Sequence, residues 1–254
     1  MSSTDQEMLF NYLIRRADDS LILGHRLSEW CGHGPILEED IALTNIALDL
    51  IGQATEWFQY AAKVEDKGRN EDDLAFLRLE REYKNVLLVE QTNGDFGKTI
   101  VRQFLFDHFQ HLLYERLMES PDQHIAAIAA KSIKEVKYHL KHSSEWVIRL
   151  GDGTEESHNR VQDSLTDLSR FIDELFYQDE VDDYLIEKGV ICDTSLFKEA
   201  YKTNIQAVID EATLQLPDKL WQLDGGRKGV HSEHLGYLLA ELQYMQRTYP
   251  GMEW

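Results

Sequence analysis

A chain of 254 residues with 43% hydrophobic content can bury about three-quarters of its unfolded surface, while no uncharged apolar run approaches the roughly 20 residues of a membrane span. A formal net charge of −20 opposes nucleic acid and anionic lipid, whose phosphates are bound through Lys and Arg, so an anionic substrate would need a local basic patch or a basic partner chain. Cys31 and Cys192 are far apart and make no Cys-x-x-Cys, and Met1-Ser2-Ser3-Thr4-Asp5-Gln6-Glu7 is no secretory signal, so a reducing cytoplasm without disulfides is expected.

Prolines at 35, 121, 217 and 250 fall where apolar helical patterns begin or stop. A first helix is expected over about 5–31, turned by Gly32-His33-Gly34-Pro35 into a second over about 38–62. In the second, Leu43, Ile46, Ala47, Leu50, Ile51, Ala54, Trp57, Phe58 and Ala61 share one face by three-and-four spacing. A long connection over about 66–95 contains a helix near 72–90. Two more helices, about 96–119 and 122–150, meet at Ser120-Pro121, and the latter carries a stripe from Ile125 through Ser132, Val136, His139 and Ser143 to Leu150. After Gly151-Asp152-Gly153, further helices are expected at about 156–178, 194–214 and 231–248. No alternating strand pattern competes, so the reading is all-α. Two helical hairpins separated by a long crossover is the plan of a ferritin-like four-helix bundle, here with extra C-terminal helices. The expected organisation is one domain over 1–254, with a bundle core at about 5–150 and a helical extension at about 151–254. The acidic clusters Glu65–Asp73 and Asp179–Asp183 read as solvated faces.

Di-iron carboxylate bundles place a Glu-x-x-His pair on each of two helices. The helix over 122–150 offers Val136-Lys137-Tyr138-His139 instead, and the helix over 38–62 offers Leu50-Ile51-Gly52-Gln53. His139 lies on an apolar stripe, where one histidine serves as a hydrogen-bonded core residue rather than one of several converging ligands. Asp49 and Gln53 share a polar strip with Asn45 and Glu56, and Glu29, Asp107 and Glu115 supply single carboxylates. The one formal Glu-x-x-His, Glu155 to His158, opens a helix, where acidic residues complement the dipole. Three His-x-x-His pairs share helix faces: His108/His111, His139/His142 and His231/His234. The last follows Gly225-Gly226-Arg227-Lys228-Gly229, which reads either as an anion cradle at a helix start or as an inter-helix loop with Ser232 as cap. It lacks Walker spacing, and no nucleophile elbow or triad is present.

The run Leu21-Ile22-Leu23-Gly24-His25-Arg26-Leu27-Ser28-Glu29-Trp30-Cys31-Gly32-His33-Gly34-Pro35 resembles the C subunits of bacterial phenylacetyl-CoA epoxidase (phenylacetate-CoA oxygenase) complexes. So do Asn45-Ile46-Ala47-Leu48-Asp49-Leu50-Ile51-Gly52-Gln53-Ala54, Leu88-Val89-Glu90-Gln91-Thr92-Asn93-Gly94-Asp95-Phe96, the segment Lys131 to Leu140, and Lys228-Gly229-Val230-His231-Ser232-Glu233-His234. The resemblance spans nearly the whole chain. It implies a ferritin-like fold and a paralogous A subunit that carries the di-iron centre and binds the CoA thioester. Against that catalytic pattern, Leu50 and Gln53 stand where one Glu and His would be, Val136 replaces the other Glu, and His139 remains. It therefore implies no catalytic residue, cofactor or metal in this chain, which would pair with and support the A subunit. A flavin and iron–sulfur reductase would supply electrons from NADPH, and one oxygen atom would enter the aromatic ring as an epoxide. His139, Gln53 and Asp49, with Asp107, are expected to form a hydrogen-bonded core cluster in the space of the lost metal pair. The isolated chain is expected to associate through the helices near 38–62 and 96–118. An independent di-iron oxygenase and a metal-free helical adaptor are the rival readings.

Overall fold

In the first helix, α1 (Ser3–Ser28), a reciprocal cap fixes the start: Asp5 N–H donates to Ser2 Oγ (3.1 Å) and Ser2 N–H to Asp5 Oδ2 (2.8 Å). The turn to α2 (Leu37–Glu65) is held by Asp40, whose carboxylate accepts from Gly32 N–H (3.1 Å) and Gly34 N–H (2.9 Å). These contacts belong to a computed structural model that describes residues 2–217 and 220–252. Among those residues helices are the only regular structure.

The crossover carries α3 (Glu71–Phe76), a 3-10 turn at Glu80–Glu82 and α4 (Leu87–Glu90). The single helix expected near 72–90 is thus broken, and the reason is electrostatic. Lys84 N–H donates to Asp18 Oδ2 (2.7 Å) and Val86 N–H to Asp19 Oδ1 (2.9 Å), so the backbone feeds the carboxylates of α1 rather than its own preceding turn. Arg78 adds a guanidinium to Asp18 (Nη1 to Oδ2, 3.0 Å). The second hairpin is α5 (Phe96–Leu117) and α6 (Gln123–Gly151), capped by Asp95 and Asp122. In the bundle, α1 packs on α2 and α5 on α6, while α2 meets α6 and Trp30 Nε1–H of the α1–α2 turn donates to Thr99 Oγ1 of α5 (3.0 Å).

The C-terminal part holds α7 (Glu155–Leu168), a 3-10 turn, α8 (Ile172–Leu175), α9 (Glu180–Glu187), α10 (Lys198–Glu211), α11 (Glu233–Leu242) and α12 (Tyr244–Thr248). The expected 156–178 helix is interrupted at Ser169–Phe171. The expected 231–248 helix is interrupted at Gln243, whose buried amide donates to Arg78 O (2.9 Å) and Tyr83 Oη (2.8 Å). α7 and α10 cover α5, which accounts for its apolar residues on several sides, and α9 lies on α1.

The acidic run at Asp179–Asp183 is only in part a solvated face, with Glu180 and Asp183 exposed but Asp179 and Asp182 drawn inward. It opens α9, and Arg15 of α1 donates to Asp182 Oδ2 (2.6 Å) and Asp179 Oδ2 (2.7 Å). On the same helix Asp19 receives Arg227 (2.7 Å) as well as Arg16 (3.4 Å). α1 is therefore surrounded, and its buried charges are matched by partners from the crossover and the C-terminal part. Removing one partner of such a pair costs about 3–5 kcal/mol because the other charge stays buried.

Candidate functional site

Leu50 on α2 and Val136 on α6 are fully buried alkyl groups inside the bundle. One turn along each helix stand Gln53 and His139, both buried. Gln53 Oε1 accepts from Gln110 Nε2 (3.0 Å) of α5, and its own amide donates to Glu135 Oε2 (2.9 Å) of α6. Beside it, Trp57 Nε1–H donates to Tyr114 Oη (3.0 Å). His139 Nε2 instead meets Asp49 Oδ2 (3.0 Å), with Nδ1 lacking a hydrogen-bond partner among the described residues. Asp107 of α5 accepts from Ser143 Oγ (2.8 Å) and Gln103 Nε2 (2.5 Å). Burial pushes the Asp107 carboxyl up to about 6, against the opposing pull of the His139 ring and these two hydrogen bonds.

The four residues expected to form one cluster are therefore divided. Asp49 and His139 form one pair, Gln53 belongs to an amide–phenol chain, and Asp107 is tied to Gln103 and Ser143. The physical reason is side-chain reach. Asp49 lies at the half-exposed edge of the α2–α6 seam, while Gln53 turns inward to the amide of Gln110. That seam is a ladder, with His142 Nε2 on Glu39 (2.8 Å) and an ion pair between Lys131 and Glu56.

Glu29 and Glu115 do not converge on this interior. Glu29 accepts from Arg26 (2.7 Å) and Asn93 (2.8 Å), and Glu115 lies 3.6 Å from His111. A di-iron bundle site draws a Glu from each of two helices and a Glu-x-x-His from each of two others. Here Leu50 and Val136 are alkyl and Gln53 is an amide, and among the described residues no three His, Cys, Asp or Glu side chains converge as metal donors. The donor set does not fit a di-iron centre.

The remaining motifs have local partners. His158 Nδ1 meets Gly151 O (2.7 Å) at the end of α6, while Thr154 caps α7. His108 packs edge-on to Phe104, and burial pushes its ring down to about 4. The Gly225–Gly229 loop does cradle an anion, but the anion is the chain's own. Gly225 and Gly226 N–H donate to Glu174 Oε1 (2.9 and 2.7 Å), and Leu87 N–H donates to Oε2 (2.6 Å). A Cβ at Gly226 would sit 2.1 Å from Asn85 O, so only glycine fits there. Ser232 occupies the cap position of α11 without a side-chain cap bond, and its N–H donates to Glu90 Oε1 (2.7 Å).

His231 is sealed from solvent, with Nδ1 on Glu90 Oε2 (2.8 Å) and Nε2 on Tyr83 O (3.0 Å). Burial alone would lower its pKa, but Glu90 and the Tyr83 carbonyl outweigh that and raise it. Sequence reasoning missed the buried His231–Glu90 pair and the buried charge system of α1. The one local signal, for the α1 system, was Arg15-Arg16-Ala17-Asp18-Asp19, two cations and two anions within a helix that is apolar before and after.

Fold and interior together define a ferritin-like helical bundle with Leu50, Val136 and the amide of Gln53 buried inside it. The chain belongs to the family described as phenylacetic acid catabolic protein, whose model matches residues 1–254. It is similar to the C subunit of the 1,2-phenylacetyl-CoA epoxidase of Escherichia coli (strain K12), at 49% identity over 243 residues covering 96% of this chain and 98% of that protein. Among the described residues no helix is long and apolar enough to cross a membrane.

Proposed function

We propose that this chain is a non-catalytic, structural subunit of a cytoplasmic, multicomponent monooxygenase that epoxidises the ring of phenylacetyl-CoA during aerobic phenylacetate degradation. The observation that carries this reading is the pair Leu50 and Val136, alkyl groups buried where carboxylates would both bind iron and balance its charge. The likeness to a relative named as the C subunit of a phenylacetyl-CoA epoxidase supports the choice of complex. In this reading the di-iron centre lies in a ferritin-like catalytic subunit, and a flavin and iron–sulfur reductase delivers the electrons.

The partner face belongs to α2. Leu37, Ile41 and Leu48 lie exposed along its outer side with Gly52 beyond them, whereas the apolar surface of α5 is already covered by α7 and α10. Such a stripe suits a second helical surface, either the catalytic subunit or, in the isolated chain, another copy. Co-expression with the catalytic and reductase subunits tests the reading. The expected outcome is a stable complex whose turnover depends on this chain, which alone binds no stoichiometric iron and oxidises nothing. Near-stoichiometric iron with an oxo-bridged absorption band, or full turnover without this chain, would overturn it.

A further inference from the structure

The C-terminal helices leave a second face unpartnered, on elements separate from the α2 stripe. Glu233, Tyr237, Ala240, Glu241, Tyr244 and Thr248 recur at three- and four-residue spacing along α11 and α12, and all are exposed. Tyr237 and Tyr244 are 71% and 60% exposed, and across a groove of about 350 Å3 Leu79 of the crossover is 65% exposed. A second groove, of about 270 Å3, runs along the other side of α12 under Leu77 and Met252. Exposed aromatic and Met side chains grouped this way are the composition of an interface core rather than of ordinary surface.

The charges around the patch select the occupant. Glu80 forms one wall of the first groove, its carboxylate lying over Gly236. Glu233 and Glu241 stand on the exposed helix face, and Asp72 lines the second groove. None of these four carboxylates has an ion-pair partner among the described residues. Of the cations, Arg247 lines the same groove opposite Glu80 and donates to Arg78 O (2.9 Å), and Arg81 is exposed. The carboxylates outnumber them in a chain whose net charge is −20, so a second copy of this chain is repelled here.

We infer that the α11–α12 face is a docking surface for a basic, apolar-anchored helix from another chain of the complex. That helix would lie along α11 and α12, with an apolar side chain in the groove between Leu79 and Tyr244 and Lys or Arg side chains toward Glu80 and Glu241. The inference rests on the subunit role proposed above, and adds a contact that the α2 stripe does not provide.

The test uses the assembled complex. Tyr244→p-benzoylphenylalanine, irradiated in the complex, is expected to cross-link to a Lys- or Arg-containing helical segment of another subunit. Glu80→Lys combined with Glu241→Lys is expected to weaken association about tenfold at low salt and to flatten its salt dependence. Circular dichroism and thermal unfolding verify that these surface variants fold as the parent does. A complex that assembles yet gives no inter-subunit cross-link at Tyr244 overturns the inference and spares the subunit reading. So does a cross-link to a second copy of this chain, or an affinity and salt dependence unchanged by charge reversal. If no complex forms at all, the subunit reading fails and the docking surface falls with it.

Discussion

His231 offers the sharpest test of how the C-terminal helices are held. Both of its ring nitrogens face oxygens, Glu90 Oε2 at 2.8 Å and Tyr83 O at 3.0 Å, so an imidazolium donates to both and these contacts favour the protonated ring. Glu90 also accepts from Ser232 N–H (2.7 Å) and Asn85 Nδ2 (2.9 Å), which joins α4 to the start of α11. With both side chains sealed from solvent, His231→Ala leaves a buried carboxylate without its counter-charge, at a cost of about 3–5 kcal/mol. For a chain of this size that lowers Tm by roughly 6–20 °C. The pH dependence has a defined sign. The folded pKa of His231 is raised above 6.5 by Glu90, Tyr83 O and Asp18, after burial has pulled it down. The stability this group contributes is therefore full below the unfolded pKa and disappears as pH rises through the folded one. His108 and His25, each pushed down to about 4 by burial, act oppositely, and their contribution is lost as pH falls below 6.5. Urea unfolding of the parent and of His231→Gln, followed by circular dichroism from pH 6 to pH 9, separates the two effects. The difference in stability should be largest at pH 6 and shrink as pH rises. A constant difference across that range, or a His231→Ala Tm within 2 °C of the parent, would refute the imidazolium assignment.

Gly226→Ala places a Cβ 2.1 Å from Asn85 O and breaks the Glu174 cradle, so a loss of about 1–3 kcal/mol is expected, with faster limited proteolysis after Glu211. Asp107→Asn relieves a buried carboxyl whose pKa stands at about 6 rather than 3.8. The folded state bears the cost of ionisation above that value, so the variant should gain on the parent between pH 4 and pH 8 by up to about 3 kcal/mol, reduced by any mismatch with Ser143 and Gln103. Urea midpoints at the two pH values check this, and a gain at pH 4 instead would contradict it. His139→Ala should cost about 2–4 kcal/mol through the cavity and the lost Asp49 contact, while turnover of the assembled complex stays intact. Normal assembly with abolished turnover would give His139 a catalytic role.

Sequence periodicity determined the four long helices and their pairing, because a three-and-four apolar stripe is a local property that needs only one helix and a core to face. The stripe through Leu43, Leu50, Ala54 and Trp57 is buried along its length, and the alkyl character of Leu50 and Val136 was legible before any coordinate. Tertiary structure decided what happens between those helices. The crossover breaks near Arg78 and Asn85 because Asp18 and Asp19 accept its N–H groups, a competition invisible to local propensity. Asp179 and Asp182 looked like surface acids until Arg15 met them from positions 164 and 167 residues away. The Gly225–Gly229 loop read equally as an anion cradle or as a plain inter-helix loop, and only the packing of α8 against it supplies Glu174 as the anion. Charges so distant in the chain carry no sequence period, since their pairing depends on which surfaces the hydrophobic stripes bring together.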